Sequence, residues 1–133
     1  MGVEALTTFV ERTLGVAHVL VNNAGCMAMG DACSGEPDEW DRMLYLNLNG
    51  VMRLTRRLVP AMKAAGGGAL INIGSIAAIE GMSGGSAAYA ASKHGLAGWT
   101  RSIYTGLRHD KIKTMLVRKH SRVWGGKGGA LSR

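Results

Sequence analysis

The sequence predicts an α/β fold built on a parallel sheet, and three observations predict it. Short β-rich runs alternate with long amphipathic stretches in the order α-β-α-β-α-β. The strand candidates read as continuous apolar runs, as strands buried on both faces do. Polar or glycine-rich residues follow them, where such sheets hold their ligands. Strands separated by helices pair in parallel through right-handed crossovers. The 133 residues suffice for one modest domain or part of a larger one. With 47% apolar and 19% charged residues, composition excludes disorder through most of the chain.

Each element has a local reason. Val3, Leu6, Val10 and Leu14 fall at helical spacing, and Gly15 closes that helix. Ala17 to Val21 is a short buried strand bounded by Asn22-Asn23-Ala24-Gly25. A loop over residues 23–36 carries Gly25, Gly30 and Gly35. Pro37 fits a first helical position, and Asp38 and Glu39 complement the positive end of the helix it opens. Trp40, Met43, Leu44, Asn47, Val51, Leu54 and Leu58 trace one face of that helix, which spans residues 37–65. Pro60 should kink or break its last turn, and Gly66-Gly67-Gly68 ends it. Ala69 to Ile73 is the second strand, and residues 74–85 are a Gly/Ser-rich loop. A helix over 86–108 shows the stripe Leu96, Trp99, Ile103 and Leu107, and Ile112 to Val117 is the third strand. Beyond Val117 the apolar pattern stops. The expected division is therefore a domain over 1–117 and a basic, disordered tail over 118–133.

Several function classes drop out. No stretch of 18 apolar residues occurs, and the N-terminus shows no signal pattern, so a cytoplasmic protein without membrane contact is expected. Gly2 lacks the Ser or Thr at position 6 that myristoylation favours. Cys26 and Cys33 read as reduced thiols, and no two of His18, His94, His109 and His120 stand at ligand spacing, so no metal is expected. The net charge of +7 resides wholly in residues 108–133, because residues 1–107 balance eight bases against eight acids. That tail has one aromatic residue, Trp124, and no nucleic-acid motif, so nucleic-acid or acidic-surface binding is the weakest of the readings.

The chemistry-bearing residues lie near strand ends. Asn22-Asn23-Ala24-Gly25 follows the first strand, Asn47 stands in Asn47-Leu48-Asn49-Gly50, Ser75 follows the second strand, and Tyr89 and Lys93 form Tyr-x-x-x-Lys. Tyr89 and Lys93 are four residues apart, so a helix presents them on one face. An ammonium beside a phenol favours the phenolate, which lets Tyr89 act as acid in carbonyl reduction or base in alcohol oxidation. Ser75 can donate to a substrate oxygen as charge develops there.

Together these motifs, in this order, resemble the short-chain dehydrogenase/reductase family, and Asn72 to Lys93 resembles its 3-oxoacyl-carrier-protein reductase-like members. The resemblance runs from about Val3 to Val117. It implies a Rossmann-like, doubly wound parallel sheet, of which three strands and three helices are present. It implies hydride transfer between NAD(P) and a carbonyl or secondary alcohol. Tyr89 would be the acid/base, Lys93 its electrostatic partner and ribose ligand, Ser75 the oxygen stabiliser and Asn47 the relay residue, with Asn49 its rival. Asn22, Asn23, Ala24 and Gly25 would lie beside the cofactor. The helices at 37–65 and 86–108 would supply the surface of a homo-oligomer.

Relatives also carry an N-terminal strand with a T-G-x-x-x-G-x-G turn, and a P-G turn after the strand matching Lys113 to Val117. Neither pattern occurs in these 133 residues. The expectation is thus the central portion of such an enzyme, or a remnant able only to associate with partners. The expectation for the two ends is a truncated or mispredicted gene product whose last residues come from a wrong reading frame or splice, and the chain alone is expected not to turn over substrate.

Overall fold

A computed structural model describes residues 2–80 and 86–119. Its elements are α1 (Val3–Leu14), β1 (Val19–Asn22), α2 (Pro37–Leu44), a π turn (Tyr45–Asn49), α3 (Gly50–Ala64), β2 (Gly68–Ser75), α4 (Ala77–Glu80), α5 (Ala87–His109) and β3 (Ile112–Lys119). The three strands form one parallel sheet in the order β1–β2–β3. The expected α/β alternation is therefore present.

Leu20 pairs with Leu70 and Leu70 with Thr114, so these side chains share one sheet face. Val59 and Met62 of α3, Leu107 of α5 and Ile112 of β3 close over Leu70 as the core, with Leu20 and Ile103 packed against it. The helical cover of α3 and α5 thus lies on that face. On the opposite face Val19 (57%), Val21 (52%), Met115 (43%) and Val117 (47%) are exposed. The expectation of a buried first strand is corrected accordingly. Among the described residues β1 pairs with β2 alone and forms an edge of the sheet.

Other boundaries differ for identifiable reasons. Residues 37–65 are not one regular helix, because Tyr45–Asn49 inserts a π turn between α2 and α3. Pro60 does not end α3, which continues to Ala64. Leu58, Val59 and Met62 are buried on both sides of the proline, and their packing holds the helix through the lost hydrogen bond. In α1 the buried position is Thr7, flanked by half-buried Val3 and Val10, whereas Leu6 and Leu14 face outward. That helix packs on α3 rather than on the sheet, which turns its expected stripe. The loop expected at 74–85 contains α4, and residues 81–85 lie outside the described part. β3 runs two residues past the expected boundary, pairing Arg118 with Gly74 and Lys119 with Ser75. The remainder of the tail, 120–133, lies outside the described residues.

Among the described residues no helix is long and apolar enough to cross a membrane, and no group of three or more potential metal ligands forms.

Candidate active site

Three of the sequence motifs converge at the C-terminal ends of β1 and β2. Asn22 ends β1 and is buried, donating from Nδ2 to Asn72 Oδ1 of β2 at 2.8 Å. Asn72 in turn donates to Thr100 Oγ1 of α5 at 2.9 Å. This chain of amides joins two strands and a helix below the site and fixes the start of the loop after β1. Asn23, Ala24 and Gly25, the next residues, are exposed.

The π turn delivers Asn47 to that loop. A π turn puts an additional residue into one helical turn and recurs at functional positions. Asn47 is fully buried here and clamps Cys26 from both sides. Its Oδ1 accepts the Cys26 N–H at 2.9 Å, and its Nδ2 donates to the Cys26 carbonyl at 2.9 Å and to Ser92 Oγ at 3.0 Å. Ser92 Oγ donates onward to the Tyr89 carbonyl at 2.8 Å. Asn49, the rival candidate, is exposed and lines a groove between α3 and α5 instead. At Gly25 a Cβ would stand 3.1 Å from Asn47 Oδ1, which would have to give way, and in ordinary contact with Lys93 Nζ at 3.6 Å.

Tyr89 and Lys93 occupy the first turns of α5 on one face, as their spacing requires. The Lys93 ammonium lies 5.8 Å from the centroid of the Tyr89 ring. It donates to the Ile73 carbonyl near the end of β2 at 2.9 Å. Lys93 is 5% exposed, and this burial lowers its pKa from the ordinary value; the nearby Cys26 sulfur acts in the opposite direction. Ser75 closes β2, two residues beyond Ile73, and is buried. Its hydroxyl accepts the Ala77 N–H at 3.2 Å, in a turn leading into α4. The geometry therefore brings together Gly25, Asn47, Tyr89 and Lys93, and sets Ser75 at the end of the strand that holds Lys93.

Two contributors escaped the sequence reading. Ser92 bridges Asn47 to Tyr89, and it lies inside the Tyr-x-x-x-Lys segment, where a small hydroxyl one residue before the lysine was the available signal. Cys26 is the residue Asn47 grips, and its backbone contacts leave no mark in a single sequence.

The buried ammonium has a measurable consequence. A lysine whose charged form is disfavoured by burial makes the native state bind fewer protons than the unfolded chain between its lowered pKa and the ordinary 10.5. Stability should therefore rise with pH across that window, with the penalty fully present below it. Urea melts of the native chain and of Lys93→Met through this range should differ in slope, the variant lacking this rise. Parallel slopes would remove the burial argument.

Comparison with known proteins shows the family and the fold. A family model described as short chain dehydrogenase matches residues 1–119. The trans-4-hydroxycyclohexanecarboxylate dehydrogenase of Sinomonas cyclohexanicum is 45% identical over 113 residues, which cover 85% of this chain and 42% of that enzyme. A crystal structure of a metagenomic short-chain oxidoreductase in complex with NADP superposes with TM-score 0.82 at 39% identity, covering 90% of this chain and 54% of the other. The L-sorbose reductase of Gluconobacter frateurii, solved with NADPH and L-sorbose, gives TM-score 0.83 at 30% identity, covering 87% and 44%. The chain spans about half the length, or less, of these proteins.

Proposed function

This chain belongs to the short-chain dehydrogenase family, and we propose that it carries the proton-transfer half of an NAD(P)-dependent oxidoreductase acting between a carbonyl and a secondary alcohol. The carrying observation is the buried Lys93 ammonium set against the Tyr89 ring, with Asn47 and Gly25 at its side. In carbonyl reduction Tyr89 Oη gives its proton to the substrate oxygen; in alcohol oxidation it takes that proton back. Lys93, positive and close, favours the phenolate side of this exchange. Ser75 would donate to the substrate oxygen, which requires its hydroxyl to turn from the local backbone.

The residues fit a nicotinamide cofactor. The exposed Asn23-Ala24-Gly25 turn lies at the C-terminal edge of the sheet, and its glycine leaves open the space beside Lys93 that a Cβ would fill. Lys93, with N–H groups beyond the one given to Ile73, would hold a ribose hydroxyl, and the Asn22–Gly25 turn would flank the cofactor. NAD(P), when bound, supplies or takes up the hydride. Asn47 keeps the turn in place through Cys26 and reaches Tyr89 through Ser92.

Small-molecule carbonyls or alcohols are the substrates in this reading. A second copy would meet the helices at 37–65 and 86–108, where Met52, Val59, Trp99 and Ile103 line an open groove. Sedimentation showing only monomer would remove that contact. The unpaired thiols Cys26 and Cys33 suit a reducing compartment such as the cytoplasm.

The test is a graft of residues 1–119 in place of the matching segment of the Sinomonas enzyme. Turnover of trans-4-hydroxycyclohexanecarboxylate with NAD(P) is the expected result. A folded graft that binds cofactor yet transfers no hydride would sink the proposal.

A further inference from the structure

Residues 25–35, between β1 and α2, form a strap that runs from the side of Lys93 to the start of α5. We propose that Ser86 is a positioning residue for the proton transfer assigned above to Tyr89 and Lys93, on which reading this rests: its hydroxyl clasps the strap to the start of α5 and keeps Gly25 and Cys26 closed against the Lys93 ammonium.

The hydrogen bonds of Ser86 carry this. It is 1% exposed and stands at the N-cap of α5, three residues before Tyr89. A serine there ordinarily accepts an N–H of the first helical turn. Ser86 makes no such bond. Its Oγ instead donates to the Ala28 carbonyl at 2.6 Å, across 58 residues of sequence. Beside it the Ala87 N–H donates to the Gly30 carbonyl at 3.3 Å, and Gly30 and Ser86 pair as an isolated parallel bridge. A helix start that gives its capping hydroxyl to a distant loop fixes that loop at the expense of its own first turn.

The strap transmits this hold. The Ala28 N–H meets Sδ of Met43, a buried residue of α2, at 3.3 Å. Ala28 is thus held by its carbonyl from α5 and by its N–H from α2, and two residues earlier Asn47 grips Cys26. Further on, the strap closes on itself. Gly30 has φ 142°, and a Cβ on it would collide with Gly35, whose own Cβ would collide with the Trp40 ring. Fastened at both Cys26 and Ala28, the strap lies against Lys93: a Cβ on Gly25 would touch Nζ, and the Cys26 sulfur acts on the ammonium. Among the described residues, Cys26 from the strap and Tyr89 from α5 are the titratable groups that face Lys93. The strap adds to the burial that disfavours the charged lysine.

The experiment has two readouts. In the full chain, heteronuclear NMR of the lysine side chains follows the titration of Lys93 in wild type, Ser86→Ala and Ser86→Thr. Loss of the hydroxyl releases the Ala28 carbonyl, admits water beneath the strap and should move Lys93 back toward its ordinary value. In the graft, Ser86→Ala should lower kcat about tenfold with little change in KM, because a misplaced reacting group is felt in the transition state. Ser86→Thr keeps the hydroxyl and should stay nearer wild type than Ser86→Ala in both readouts. Ser86 caps no N–H, so the alanine variant removes none of the bonds within α5. Ser86→Cys, of similar shape and with a weaker donor, gives the same reading where the alanine variant does not fold. An unchanged Lys93 titration in Ser86→Ala overturns the clasp, as does an active graft whose kcat stays at wild type, even where melting is lowered; Ser86 would then serve stability alone. A graft that is inactive with Ser86 in place counts against the roles of Tyr89 and Lys93, and the titration in the full chain still decides the clasp.

Discussion

Tyr89→Phe in the grafted enzyme is expected to lower kcat by a factor of about 10²–10⁴, the range that a positioned acid or base contributes. The substitution keeps the ring and removes only the hydroxyl. The Lys93 ammonium, 5.8 Å from the ring centroid, retains its aromatic neighbour. The Asn47–Ser92 link also survives, because Ser92 binds the Tyr89 carbonyl and not its side chain. Cofactor affinity should thus stay near wild type while the chemical step slows. Single-turnover absorbance of the nicotinamide separates the two. A rate within tenfold of wild type would mean that the proton comes from another group.

The second large effect concerns stability. Leu70→Ala should cost about 2–5 kcal/mol, as truncations at fully buried leucines do. Leu70 is 0% exposed and is the residue around which α3, α5 and both outer strands close. A loss of that size consumes much of the ~5–15 kcal/mol that keeps a domain folded. Val21→Thr, on the exposed face of β1, is the matched control and should change stability by under about 0.5 kcal/mol. Denaturant midpoints of the two variants provide the comparison. Similar midpoints would place the core elsewhere than between α3, α5 and the sheet.

Which parts of this were readable beforehand has a physical pattern. The alternation of strand and helix was legible because period and length separate the two states; of the stripe on α5, Leu96 and Leu107 are buried and Ile103 packs against the core, whereas Trp99 is half-buried at the groove beside α3. Tyr89 and Lys93 were legible as a pair because i and i+4 share a helix face. The π turn was not, since one inserted residue leaves hydrophobic spacing nearly unchanged. Yet it is what buries Asn47, the asparagine the motif favoured, and leaves its rival Asn49 exposed. The exposure of Val19 and Val21 was illegible for another reason. An apolar run records what a strand tolerates against a partner layer, and says nothing about whether that layer is present. The Asn22–Asn72–Thr100 chain links residues up to 50 positions apart, and local pattern cannot report such contacts.

The sheet order also dictates how the chain reaches its native state. No hairpin occurs in this sheet: Asn22 meets Asn72 across 50 residues, and the β2–β3 pairings are nearly as distant. Each ladder must close a long loop before any strand contact compensates its entropy, and the loop contains a helix that has to form on the way. β2 takes part in both closures, so the transition state for collapse has to recruit it early. Folding limited by two such closures belongs in the millisecond-to-second range rather than the microsecond range of helical bundles. During that interval β2, with Leu70, Ile71 and Ile73, is unpaired on both edges. The yield of native protein on dilution from denaturant should therefore fall as chain concentration rises, through a competition decided by kinetics and not by final stability.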